Sequence, residues 1–284
     1  MTELEICCSD FRSVQEARKG GAGRIELCQA LGEGGLTPSL GLIEKAVASG
    51  MPKVNVLVRP HAGDFLYDED DVQIMLRDIE AARRAGATGI VIGALNPDGT
   101  VNEEQCRRFR EAAGNLELEF HRAFDMTADP EAALETIIAL GFDRVLTSGC
   151  AATAQEGIPM LRRLCRQGAG RIKIMAGSGV NAANAREILD ETGVDALHAS
   201  ASTIIPSNMI FRNDSAKMGD PGADEYSRCS SSAEKVRSIL MALACLLALI
   251  LPASVARAVT DAELNREKLL KTLYAGMTPA VIFS

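Results

Sequence analysis

Eight short apolar runs recur along the first two hundred residues, each followed by a stretch with helical periodicity, and no other feature restricts the fold as much. The runs are Leu4 to Cys8, Arg24 to Cys28, Lys53 to Arg59, Gly89 to Leu95, Leu116 to Arg122, Arg144 to Gly149, Arg171 to Gly177 and Ala196 to Ser202. Strands that alternate with helical segments build βα units and a parallel sheet. Eight units over roughly 200 residues match the (β/α)8 TIM barrel, an α/β fold of about 250 residues. A doubly wound open sheet is the weaker alternative, because no GxGxxG follows the first run. Between the fifth and sixth runs, Asp129 suits a helix cap, Pro130 the first turn and Gly141 the end. The expected division is one barrel domain over residues 1–250 and a C-terminal extension over 251–284 of unknown role.

Barrels of this kind carry their chemistry at the C-terminal ends of the strands, so the polar residues there are the candidates. Glu5, Cys7, Glu26, Cys28, Asn55, Arg59, His121, Arg122, Thr147, Ser148, Ser178 and His198 all fall in or just after the eight runs. Glu5-Ile6-Cys7 and Glu26-Leu27-Cys28 repeat one pattern, with carboxylate and thiol on the same face of each strand because side chains alternate. If the two strands are parallel neighbours, two Glu and two Cys converge. Two of the three histidines, His121 and His198, also stand at strand ends, where an imidazole can move a proton or bind a metal. Each can equally be a satisfied structural residue.

The chain has 284 residues and a formal charge of -8, with Lys and Arg scattered among Asp and Glu. There is no basic stripe for a phosphate backbone, so nucleic acid is not an expected partner. The eight cysteines form no CxxC pair, and Met1 to Glu5 does not read as a secretory signal, which points to free thiols in a reducing cytoplasm.

Several segments in order resemble the CutC copper-homeostasis family: Glu5-Ile6-Cys7, Arg24 to Cys28, Glu33-Gly34-Gly35-Leu36-Thr37-Pro38-Ser39 and His121-Arg122-Ala123-Phe124-Asp125. Arg59-Pro60, Gly63-Asp64-Phe65, Arg144 to Gly149, Met175 to Val180, Phe211-Arg212-Asn213, Asp224-Glu225-Tyr226 and Lys235-Val236-Arg237 extend the likeness to about residue 240. The resemblance implies a (β/α)8 barrel, copper handling and a cytoplasmic location, and it makes Cys7 and Cys28 the candidate copper ligands. The chain departs from the pattern at His61-Ala62, where the family usually reads Arg-Gly, so one loop cation is missing. At Glu119, commonly a small hydroxyl residue, the carboxylate shares a face with His121 and is placed to hydrogen-bond to it.

Cu(I) is soft and favours thiolates, and neighbouring parallel strands about 4.8 Å apart let Cys7 and Cys28 share one ion. Plain packing of two small apolar thiols in the barrel is the competing account. A different class of function is also open, that of an isomerase, epimerase or lyase acting on a small phosphorylated or carboxylated metabolite. Glu26, Arg59 and His121 would be its catalytic residues. Glu5, Arg122, His198 and the turn Gly177-Ser178-Gly179, ahead of a helix starting near Asn181, would complete the ligand site. The Glu33-Gly34-Gly35 loop is placed to cover Glu26 and Cys28, and the long connection from Ile204 to Ser232, with its tip at Asp220 to Ala223, is a candidate lid. A homo-oligomer is compatible with the sequence. The apolar run Ile239 to Leu251 is short of the about 20 residues of a spanning helix, so membrane contact is not expected.

Overall fold

The computed structural model describes residues 2–213, 215, 216, 218 and 224–244. Its compact barrel unit runs from Met1 to Ala242. The expected boundary at 250/251, the extension beyond it, the part of the apolar run after Ala244 and the loop tip at Asp220 to Ala223 lie outside the described residues.

Eight strands, β1 (Glu3–Cys8), β2 (Arg24–Leu27), β3 (Val54–Leu57), β4 (Gly89–Ile92), β5 (Glu117–Phe120), β6 (Arg144–Thr147), β7 (Lys173–Ala176) and β8 (Ala196–Ala199), close into a parallel barrel in sequence order. The expected (β/α)8 architecture is therefore the observed one. Helices α1 (Phe11–Gly20), α2 (Leu40–Val47), α3 (Glu69–Arg84), α4 (Glu103–Ala113), α5 (Pro130–Ala139), α6 (Ile158–Gly168), α7 (Ala185–Thr192) and α8 (Ala233–Ala244) follow the strands in turn.

Local chemistry sets these boundaries. Asp10, Ser39, Asp68, Asn102 and Asp129 each accept an amide hydrogen bond from the first turn of the helix they precede, satisfying donors that would otherwise be orphaned. Residues of β1 to β8 that point outward, such as Ile6, Ile25, Leu27, Val56, Ile90, Ile92 and Val145, are fully buried under the helices. Cys8, on this outer face, is also buried and belongs to the packing.

Two expectations about the connections change. The turn after β7 does not lead straight into a helix, because α7 begins at Ala185, with Asn181 to Asn184 forming a turn in which Asn184 Oδ1 accepts from the Asn181 amide at 2.8 Å. The connection from Ile204 to Ser232 is not a bare loop either. Its ends pair as an antiparallel ribbon of β9 (Ser202–Pro206) and β10 (Ser227–Ser231), and Cys229 sits in that ribbon.

Candidate functional site

The lower half of the barrel interior is filled with charge rather than with the branched aliphatic layers usual in this fold. Arg24 donates through Nε to Glu5 Oε2 at 2.6 Å, through Nη1 to both oxygens of Glu117 at 2.9 Å, and through Nη2 to Glu119 Oε2 at 3.3 Å. Arg144, completely buried, reaches Glu3 and Glu117, and Asn55 Nδ2 donates to Glu5 Oε2 at 3.1 Å. Glu119 thus belongs to the arginines and does not bond to His121, contrary to the sequence expectation. Burial first, with repulsion from Glu5 second, pushes the Glu119 carboxyl well above the usual range, against the pull of Arg24 and Arg144.

Register decides what lies above this floor. Strands β1 and β2 pair with Glu5 opposite Arg24 and Cys7 opposite Glu26, a stagger that separates the two glutamates by one interior layer. The Glu5 carboxylate accepts from His198 Nδ1 at 3.0 Å, and His198 Nε2 faces Glu26 Oε2 at 3.5 Å. Burial acts to neutralise Glu5, but the His198 hydrogen bond and the charges of Arg24 and His198 outweigh it and hold the carboxyl at about 2. Burial likewise opposes protonation of His198, yet Glu26 and Glu5 raise it to about 9, so the imidazolium is the charged form at neutral pH. Glu26 is shifted upward, chiefly by burial.

The two thiols meet next to this triad. Cys7 Sγ lies 3.6 Å from Cys28 Sγ, and Cys7, Glu26 and His198 can each present a ligand atom within 4.8 Å of the others. The hydrogen bond to Cys28 and then burial push the Cys7 thiol well above its ordinary range. Cys28 itself has no exposed surface. It packs with Cys7, Leu57 and Val91 beneath Leu31, and the loop carrying Gly35 lies directly on it. Gly35 has φ +94°, and a Cβ there would stand 2.8 Å from Leu57 Cδ2 and 3.8 Å from Cys28 Sγ, so both the backbone conformation and the close approach demand glycine.

A cavity of about 470 Å³ opens above, lined by Cys7, Glu26, Arg59, His121, Ser178 and His198 among others. Arg59, at the end of β3, is 6% exposed and donates to the carbonyls of Glu33 (2.8 Å), Gly35 (3.0 Å) and Gly63 (2.8 Å). The β2–α2 and β3–α3 loops are thereby tied together at the rim. His121, 5% exposed, accepts the Ala123 amide on Nδ1 at 3.2 Å. Burial, and then the charge of Arg59, depress His121 to about 3, so it is neutral. Arg122 is paired, to Asp125 Oδ2 at 2.7 Å and to Ser148 Oγ at 3.1 Å. In the turn after β7, Gly177 passes so close to Leu146 that a Cβ would meet it at 2.6 Å, and Ser178 and Gly179 adopt φ +80° and +74°. Among the described residues the four non-glycine residues with positive φ, Ala30, Cys150, Ser178 and Ala201, follow barrel strands at this one end, as strain held at a functional face does.

Glu5 is thus a floor residue that reaches the cavity only through His198. His61, on the departing loop, pairs with Asp71 at 3.2 Å and does not line the cavity. The residues that sequence reasoning passed over are Arg24, Arg144 and Glu117. For Glu117 and Arg24 the signal was the alternation Glu117-x-Glu119-x-His121 and Arg24-x-Glu26, which puts these polar residues on one face of each strand.

The CutC family model matches residues 2–203. The chain is 44% identical over 237 residues to the human protein named copper homeostasis protein cutC homolog, a match spanning 83% of this chain and 87% of the human one. It is 45% identical over 246 residues to a CutC family protein of Vibrio cholerae, covering 86% of this chain and 97% of that one. The crystal structure of CutC from Streptococcus agalactiae superposes with a TM-score of 0.68 at 32% identity, covering 70% of this chain and 99% of that one. An aldolase, QR15, at 14% identity and a TM-score of 0.54, shares the fold alone. With a barrel whose mouth carries the paired thiols and a family match across most of its length, the chain belongs to the CutC family.

Proposed function

We propose that this protein binds Cu(I) at the barrel mouth, with Cys7 and Cys28 as the thiolate ligands and His198 and Glu26 beside them. The observation that carries this reading is the 3.6 Å approach of the two sulfurs next to Glu26, with His198 able to join as a donor only on losing its proton. With metal–sulfur bonds of about 2.3 Å, such as zinc makes, sulfurs at this spacing would subtend roughly 100° at an ion, leaving one side open to a third ligand. Soft thiolates select Cu(I) over the hard cations that Glu26 alone would attract. The raised Cys7 thiol means that binding must release protons, so copper affinity falls with pH. Relatives named copper homeostasis proteins support the assignment, and free thiols throughout the described residues fit a reducing compartment such as the cytoplasm.

Anaerobic titration of the full chain with Cu(I) against a competing chelator tests it, comparing the parent with Cys7→Ser/Cys28→Ser. One equivalent bound tightly by the parent and not by the double variant is the expected result. Equal binding by both would reduce the thiols to packing residues.

A further inference from the structure

Two side chains of the mouth are not explained by copper. Arg59 is buried, and among the described residues no carboxylate lies within ion-pairing distance of it. Three of its five N–H donors go to loop carbonyls, while the buried Nε has no hydrogen-bond partner. His121 presents a matching vacancy of a different kind. Because Nδ1 accepts the Ala123 amide, the ring proton sits on Nε2, and that buried Nε2 is also without a partner. Both residues flank the ring of Phe65, with Arg59 Cζ 5.1 Å from its centroid and the His121 ring centroid 5.0 Å away. Both line the same cavity.

Buried donors are nearly always satisfied, and a buried cation without a counter-ion is costly, so two such groups side by side in one cavity describe the ligand they lack. The other cations of the mouth do not compete for it. Arg122 is held by Asp125 and Ser148, and the His198 imidazolium lies between Glu5 and Glu26. Arg59 retains Nε–H and one Nη2 hydrogen, near the Tyr67 hydroxyl, and two donors left on one guanidinium suit a carboxylate better than a tetrahedral anion with three oxygens to satisfy. His121 offers one neutral N–H, the donor for a carbonyl oxygen near that carboxylate.

We infer that the cavity is a binding site for a small 2-oxo carboxylate, with Arg59 holding the carboxylate and His121 Nε2–H donating to the adjacent carbonyl oxygen. The site lies beside the thiol pair and does not require copper. Phe65, in contact with both polar anchors, forms an apolar wall of the site. The cavity has room for a longer chain than the shortest such acids carry.

Pyruvate is the probe, titrated by calorimetry into the full-length protein kept reduced and metal-free with a chelator, while the His121 Nε2–H resonance is followed in histidine-15N-labelled protein. The expected result is saturable binding that shifts this resonance. Arg59→Lys and His121→Phe should each weaken it about tenfold or more, the loss expected for a hydrogen bond to a charged or buried partner. Because the protein is kept metal-free in this titration, the pyruvate result stands or falls separately from the copper reading. Hydroxyacetone, which lacks the carboxylate, and propionate, which lacks the carbonyl, should bind far more weakly. If Arg59→Lys fails to fold, the parent resonance and His121→Phe still decide the matter. A His121 resonance unmoved by pyruvate at tens of millimolar, or moved equally by hydroxyacetone or inorganic phosphate, overturns the assignment.

Discussion

The neutral state of His121 has a cost that pH titration can measure. The imidazole is held at about 3 in the fold and returns to its ordinary 6.5 in the unfolded chain. Because the folded value is the lower one, the unfolded chain takes up the proton first, so stability is complete above 6.5 and declines as pH falls through the range down to about 3. Linkage gives a penalty of about 0.2 kcal/mol at pH 7 and about 2.1 kcal/mol at pH 5. His121→Phe removes the titrating group and leaves a ring among Phe65 and Phe120, both already in contact with His121. Urea unfolding of parent and variant across this interval should therefore show the parent losing roughly 2 kcal/mol relative to the variant. At a urea slope of about 2–3 kcal/mol/M, the gap between midpoints moves by roughly 0.6–1 M. Contributions from Glu5 and the other carboxylates cancel in the difference because both proteins share them. A gap that stays constant from pH 7 to pH 5 would mean that His121 accepts a proton in the fold as easily as in water, and the buried neutral donor would be refuted.

Two further outcomes follow from the packing. Glu5→Gln keeps the volume but removes the carboxylate shared by Arg24, Asn55 and His198. It should cost roughly 3–5 kcal/mol in urea unfolding at neutral pH, as loss of one partner from a buried pair does, and a loss below about 1 kcal/mol would show that water reaches the barrel floor. Gly35→Ala forces a side chain into a left-handed backbone and against Leu57. A destabilisation of roughly 2–4 kcal/mol is expected from strain plus overpacking, and a thermal melt indistinguishable from the parent's would contradict the close packing of this loop on Cys28.

Much of the fold is legible in the sequence because each βα unit announces itself locally. Ser39 and Asp129 mark helix starts, and the strand runs are short and apolar. Register is different, since it depends on how far neighbouring strands slide as the barrel closes. Two copies of Glu-x-Cys suggest that like residues meet, but the observed pairing sets Cys7 opposite Glu26 and Glu5 opposite Arg24. The thiols still reach each other, since Cys28 lies just beyond β2, its amide bonded to the Cys8 carbonyl at 3.0 Å. The ion network was hidden for a related reason. Arg24 and Arg144 begin their strands, where a charged residue ordinarily reads as an exposed flank, and only closure of the barrel turns them inward. The orphaned donors of Arg59 and His121 are likewise invisible in a sequence, because they are defined by what the surrounding loops fail to supply.

The floor and the mouth are electrically one object. Arg24, Glu5, His198 and Glu26 alternate in charge, at separations of 2.6, 3.0 and 3.5 Å, and the series ends at Cys7. Burial raises the Glu26 carboxyl, and the His198 charge beside it acts in the opposite direction, favouring the ionised form. A thiolate at Cys7 would continue the alternation in the wrong sense, negative beside negative, which is why burial, Cys28 and Glu26 all act to keep the proton on sulfur. In the proposed copper site a monovalent cation held by the two sulfurs would offset part of the negative charge left as the thiol protons depart. On the proposed reading, Cys7 would keep its proton until a metal enters and would give it up on binding.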